Sequence, residues 1–121
     1  MRYVTEIMIK MPSLNEYVRQ CRGNRYGASK MVRDLEDAIA YFVKDMPMFK
    51  RPVLIRFKWI EKNRRRDLDN VCFAKKFILD ALVKAGKLTD DSQRYVKGFE
   101  DSFELGDETK VILDIEEIAN D

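Results

Sequence analysis

The chain contains no histidine. That excludes Ser-His-Asp and Cys-His catalysis, histidine general acid–base chemistry and the common histidine-containing zinc sites. Its two cysteines, Cys21 and Cys72, are too few for a disulfide framework and lack metal-ligand spacing. Both read as incidental packing residues. No apolar run approaches the roughly 20 residues that cross a bilayer, so no membrane partner is expected. The opening residues Met1-Arg2-Tyr3-Val4-Thr5-Glu6 alternate and carry an acid, unlike a secretory signal, and a cytoplasmic location is the expectation. Low-complexity tracts, internal repeats and interdomain linkers are missing too, and 121 residues suit a single domain, 1–121. Any catalysis must therefore rest on carboxylates, lysines, hydroxyls or a metal held by oxygen.

What is present is charge, 36% of residues beside 45% hydrophobic, the composition of a globular protein. The net charge is only +2, yet it is unevenly placed. Arg19, Arg22, Arg25, Lys30 and Arg33 share one segment and Lys62, Arg64, Arg65 and Arg66 another, while the stretch from Asp101 onward is strongly acidic. A basic surface facing an anionic partner fits this asymmetry, and so does an ordinary solvated face.

Hydrophobic periodicity sets the expected elements. Tyr3 to Lys10 alternates and reads as a strand, which Pro12-Ser13 ends. A polar stretch with Gly23, Asn24 and Gly27 follows. Ser29 is then placed to cap a helix to about Lys44, whose face of Met31, Leu35, Ala38, Ile39 and Phe42 goes to the core. Val53, Ile55, Phe57 and Trp59 alternate in a strand of high β propensity, and Glu61 to Arg66 reads as a charged loop. Asn70 to Ala85 is the clearest helix, stopped by Gly86. Tyr95 to Glu104 and Thr109 to Ile118 read as strands joined near Gly106-Asp107, a hairpin signal. The order is β-α-β-α-β-β, which predicts an α+β domain with a mixed four-stranded sheet and helices packed on one face.

Two stretches carry chemistry: Arg64-Arg65-Arg66-Asp67-Leu68-Asp69-Asn70, and Thr89-Asp90-Asp91-Ser92-Gln93 beyond the helix. One Asp at a helix start suffices as a cap, which leaves the other unexplained. Magnesium and manganese prefer hard oxygen ligands and keep several waters, so a few Asp side chains suffice to hold one. Such a metal activates water and stabilises charge on a scissile phosphate. Lys76 is placed to add positive charge there, and Arg64, Arg65 and Arg66 to hold flanking phosphates. Each feature also has a plainer reading: caps and solvated acids for Asp67 and Asp69, turn residues for Asp90 and Asp91, an i,i+4 surface pair for Lys76 and Asp80. A helix of about 16 residues is about 24 Å long, so Asp91 reaches Asp67 only if the chain folds back along the helix or a second subunit supplies the acid.

Taken together these residues resemble the RusA family of Holliday junction resolvases. Arg65-Arg66-Asp67-Leu68-Asp69-Asn70 matches the family's Arg-x-Asp-Leu-Asp-Asn motif. Asp80-Ala81-Leu82-Val83-Lys84-Ala85-Gly86 is similar to its helix end and Thr89-Asp90-Asp91-Ser92-Gln93 to its Asp-Asp-x-Gln turn. Pro12-Ser13-Leu14-Asn15-Glu16-Tyr17 is similar to its Pro-Ser-x-Asn-x-Tyr segment. The resemblance implies a homodimer, from a bacterium or a phage, that binds four-way DNA junctions and makes paired cuts with Mg²⁺ or Mn²⁺. It assigns Asp67, Asp69 and Asp91 as catalytic and metal-binding acids, with Asp90 the adjacent acid. The family's lysine stands where this chain has Phe73; Lys76 keeps its spacing to Asp80 and Asp91, and Lys75 is the alternative.

The expectation is a junction-resolving endodeoxyribonuclease of DNA recombination and repair. Its metal sits at Asp67, Asp69, Asp90 and Asp91, Lys76 assists, and DNA lies against Arg22, Arg25, Arg64, Arg65 and Arg66. The alternatives are a branched-DNA-binding module that does not cut and a nuclease that prefers forks or flaps.

Overall fold

The computed structural model describes residues 1–118, in the order β1 (Arg2–Ile7), α1 (Leu14–Gly23), α2 (Arg25–Phe42), β2 (Val53–Glu61), α3 (Leu68–Cys72), α4 (Lys75–Lys84), β3 (Val96–Leu105) and β4 (Lys110–Glu117). The strands form one mixed sheet in the order β1-β4-β2-β3, with β2 and β3 parallel and the other neighbours antiparallel. The expected α+β architecture is the one observed.

Alternation along β2 decides which face is covered. Ile55, Phe57 and Trp59 are buried and stand opposite Ile115, Leu113 and Val111 of β4, which are buried too. Leu35 and Ile39 of α2 and Phe77, Ile78 and Leu82 of α4 close the same core, so the helices lie on one face. Each such side chain contributes roughly 1.5–3 kcal/mol by leaving water. The other face carries the intervening residues as ion pairs, among them Arg2–Asp114 at 2.7 Å, Arg56–Glu100 at 2.8 Å and Arg56–Glu116 at 3.2 Å.

The structure corrects the sequence reading at several points. β1 ends at Ile7 rather than Lys10. The polar stretch after Pro12 is helix α1, whose Ser13 hydroxyl caps it by accepting from the Glu16 N–H at 3.1 Å. The next helix begins at Arg25, capped by Asn24 through the Gly27 N–H, and not at Ser29. The helix expected over 70–85 is divided into α3 and α4: around Phe73 and Ala74 the bonds tighten to i→i−3 (Ala74 to Val71, Lys76 to Phe73, Phe77 to Ala74).

The strands after residue 95 form no hairpin. β4 pairs with β1 and β2, and β3 lies on the far side of β2. The segment between them therefore crosses over the end of β2, where the Gly106 N–H donates to the Glu61 carbonyl at 2.9 Å. A Cβ at Gly106 would lie 2.6 Å from Ile60 Cγ2, so glycine serves a close crossing here.

Candidate metal and nucleic-acid site

The loop after β2 is held before it reaches its acids. Arg66 Nε donates to Glu61 Oε1 at 2.7 Å and Nη1 to the Met11 carbonyl at 2.8 Å, and the side chain is only 16% exposed. This clamp joins the end of β2 to the approach of α1. Asp67 follows at the N-cap position of α3, with φ −67° and ψ 151°, but its carboxylate makes no cap hydrogen bond. Asp69 lies in the first turn of α3. Both are exposed, and among the described residues neither carboxylate has a hydrogen-bond or ion-pair partner.

The next residue, Asn70, has the opposite role. Its Oδ1 accepts from the Asn15 N–H at 3.1 Å, and Tyr17 packs on Phe73 and Phe77 with ring centroids 5.7 and 5.3 Å away. The Pro12–Tyr17 segment and the Asp67–Asn70 segment, far apart in sequence, thus touch at one corner. The two acids project from this corner without protein partners among the described residues. That pair fits a hard cation that keeps part of its water shell.

Lys75 and Lys76, consecutive in the first turn of α4, point in different directions. Lys76 is 68% exposed and stands 3.6 Å from Asp80, an i,i+4 surface pair. Lys75 turns inward: its Nζ lies 2.6 Å from Asp101 Oδ2, over the rings of Phe57 and Phe99. Asp101 Oδ1 accepts the Trp59 indole N–H at 2.8 Å. Burial pushes the Cys72 thiol pKa up, Asp101 and Asp69 push it further, and Lys75 opposes them. Cys72 therefore lies within electrostatic reach of Asp69 and of the Lys75–Asp101 pair. Asp101 escaped the sequence reading because no spacing rule links it to Lys75; the trace it left was an acid at an inward position of β3.

Asp91 lies elsewhere. Val53, at the start of β2, donates to the Tyr95 carbonyl, and Phe49 bridges to Leu88. The turn holding Asp90 and Asp91 is thus at the beginning of β2, while Asp67 and Asp69 follow its end. Nine strand residues separate those ends, about 30 Å at about 3.3 Å per residue. Asp90 accepts from the Ser92 N–H at 3.0 Å, the bond of an Asx turn. Among the described residues no group of three or more His, Cys, Asp or Glu side chains is spaced to hold a metal. One chain supplies a pair of acids and leaves the third at the other end of the sheet.

The basic residues divide similarly. Arg66 is engaged inside the fold, whereas Arg64 and Arg65 are exposed beside the acid pair. Arg65 also lines a cleft of about 640 Å³ with Lys10, Lys62, Glu16 and Glu108. Arg22 and Arg25 sit together at the junction of α1 and α2, on a cleft of about 730 Å³ with Tyr17 and Cys21. No family model matches the chain, and no curated protein matches it.

Proposed function

We propose that this chain is a divalent-metal-dependent endodeoxyribonuclease that acts on four-way DNA junctions as a homodimer, in the manner of the RusA family. The observation that carries the reading is the unpartnered pair Asp67 and Asp69, presented by a corner in which the Pro12–Tyr17 and Arg65–Asn70 motifs meet. A structural acid at a helix start would cap it; these carboxylates do not.

Within this reading, Asp67 and Asp69 would hold the cation beside the scissile phosphate. A bound Mg²⁺ or Mn²⁺ supplies water activation and charge stabilisation there. Arg64 and Arg65 neutralise flanking phosphates, which adds affinity without sequence preference. Arg66 keeps the loop in place. Lys75 is tied to Asp101, while Lys76, exposed and paired with Asp80 at the surface, is the lysine placed to meet DNA. A homodimer places symmetric sites on a two-fold substrate.

The distance of Asp91 from the acid pair favours one other reading, a branched-DNA-binding module that does not cut. Nicking of a labelled four-way junction in Mg²⁺ or Mn²⁺ separates the two. Wild-type protein is expected to make symmetric nicks, with Asp69→Asn binding the junction equally and cutting at least a hundredfold more slowly. Binding by both proteins with cutting by neither overturns the nuclease. Competition among junction, fork, flap and linear duplex then fixes the preferred structure.

A further inference from the structure

Helices α1 and α2 meet at Asn24 and leave between them an open cleft of about 730 Å³. Val18 of α1 and Val32 of α2 are half-buried there and Ala28 is buried, which gives the cleft an apolar floor. Tyr17 adds an aromatic ring, backed by Phe73 and Phe77. Exposed Arg22, Arg25 and Arg33 also line the cleft, and no acid does. Among the described residues none of these three guanidinium groups has a hydrogen-bond or ion-pair partner. Lys30, on the same helix as two of them, is paired with Asp34 at 2.7 Å.

Folding alone accounts poorly for these cations. Arg22 stands in the last turn of α1, where the helix dipole favours positive charge. Arg25 is the first residue of α2, the end that disfavours a cation, and no acid shares that turn. Val32 and Arg33 follow Arg25 by two helical turns and lie on the same side of α2, so the charge is gathered along the cleft. Unneutralised cations around an apolar floor suit an anion that carries a flat apolar body.

We infer that this cleft takes up an unpaired DNA strand, with a base against Val18, Val32 and Tyr17 and the phosphates on Arg22, Arg25 and Arg33. A duplex would meet the arginines but keep its bases stacked inside, so the apolar floor would gain nothing. An unpaired strand uses both surfaces. The place is apt as well. α1 begins at the acid corner, where the Asn15 N–H meets Asn70, and Arg22 lies about 10 Å further along the helix. That is about three nucleotide steps at about 3.4 Å each. For its relation to the cut the inference rests on the nuclease reading above: the strand attacked at the acid pair is held open a few nucleotides away. The binding itself stands apart from that reading.

Fluorescence anisotropy in EDTA, with a labelled oligothymidylate of about 12 nucleotides, tests the cleft beside a duplex and an abasic strand of equal length. Wild type is expected to bind the oligothymidylate about tenfold tighter than the abasic strand, which keeps the phosphates and lacks the bases. Arg25→Ala and Arg33→Ala are each expected to lower the slope of log K against log salt by about 0.7 for the oligothymidylate, and to leave the duplex slope unchanged. Cys21 lines the cleft and reports its occupancy. In a Cys72→Ser chain, oligothymidylate at about tenfold its Kd is expected to slow Cys21 alkylation roughly tenfold. Equal affinity for the abasic strand, equal losses on the duplex, or an unprotected Cys21 each overturns the proposal. Tighter binding of an oligoglutamate peptide than of the strand does so too, and assigns the cleft to a protein partner. The expected binding pattern in a protein that nicks no junction in either metal sinks the nuclease reading and leaves the cleft standing. Nicking with Cys21 unprotected does the reverse.

Discussion

Lys75 Nζ lies 2.6 Å from Asp101 Oδ2, which ties the first turn of α4 to the free edge of the sheet. Both side chains are about four-fifths covered, so the pair is screened less than a surface one. Replacing Asp101 with Asn weakens the pair and leaves a cation above the Phe57 and Phe99 rings, at a cost of about 1–2 kcal/mol in denaturant unfolding.

The same substitution has a chemical readout at Cys72. Burial raises that thiol's pKa first and the charge of Asp101 second, with Lys75 lowering it. Asp101→Asn removes a raising influence and leaves the lowering one, so the thiol ionises at lower pH. Lys75→Met acts in the opposite direction. Alkylation rate against pH, in a Cys21→Ser background, measures both shifts; equal profiles for the two variants would show that Cys72 does not sense this pair.

The adjacent arginines are expected to separate by role. Arg66→Ala breaks the bonds to Glu61 and Met11 and should cost about 1–3 kcal/mol of stability. Arg64→Ala and Arg65→Ala should stay within about 0.5 kcal/mol of wild type. Instead each should lower the slope of log K for junction binding against log salt by about 0.9, one phosphate contact apiece. Thermal melts and salt-titrated binding assays decide the division.

Gly106→Ala tests the crossing over β2. The added Cβ would meet Ile60 Cγ2 at 2.6 Å, so either the crossing or the strand end must shift. Overpacking of this kind costs about 1–3 kcal/mol. Ile60→Ala in the same chain removes the obstructing methyl, and the double variant should lose less stability than the two single losses combined.

Much of the fold was legible in the sequence because burial follows period. The alternation of Val53, Ile55, Phe57 and Trp59 and the apolar stripe of the α4 region each announce one covered face, and Gly86, at φ 75°, ends its helix in the left-handed conformation expected of it. α1 was missed because it is short, polar overall and buries no residue fully, although Leu14, Tyr17, Val18 and Cys21 recur at helical spacing. Its true signal was local: Ser13 and Glu16 have capping-box spacing. The Gly106 turn misled because glycine beside aspartate marks a hairpin only when the flanking strands pair, and strand order is a long-range property. The candidate site was half legible. Asp67 and Asp69 are neighbours by covalent proximity, whereas the partnership of Lys75 with Asp101 and the placement of Asp91 depend on the β2–β3 parallel register.

Neutralising the acid pair should separate stability from metal binding. Asp67 and Asp69 make no bond that folding needs, and two carboxylates near one helix start repel each other. Asp67→Asn and Asp69→Asn should therefore unfold within about 0.5 kcal/mol of wild type when metal is absent. Added Mn²⁺ changes the comparison. A cation that binds only the folded state, present at tenfold its Kd, adds about 1.4 kcal/mol, which raises the melting temperature by several degrees. Wild type should show that rise and Asp69→Asn should not. A wild-type melt indifferent to Mn²⁺, with and without junction DNA, would mean that these carboxylates hold no cation.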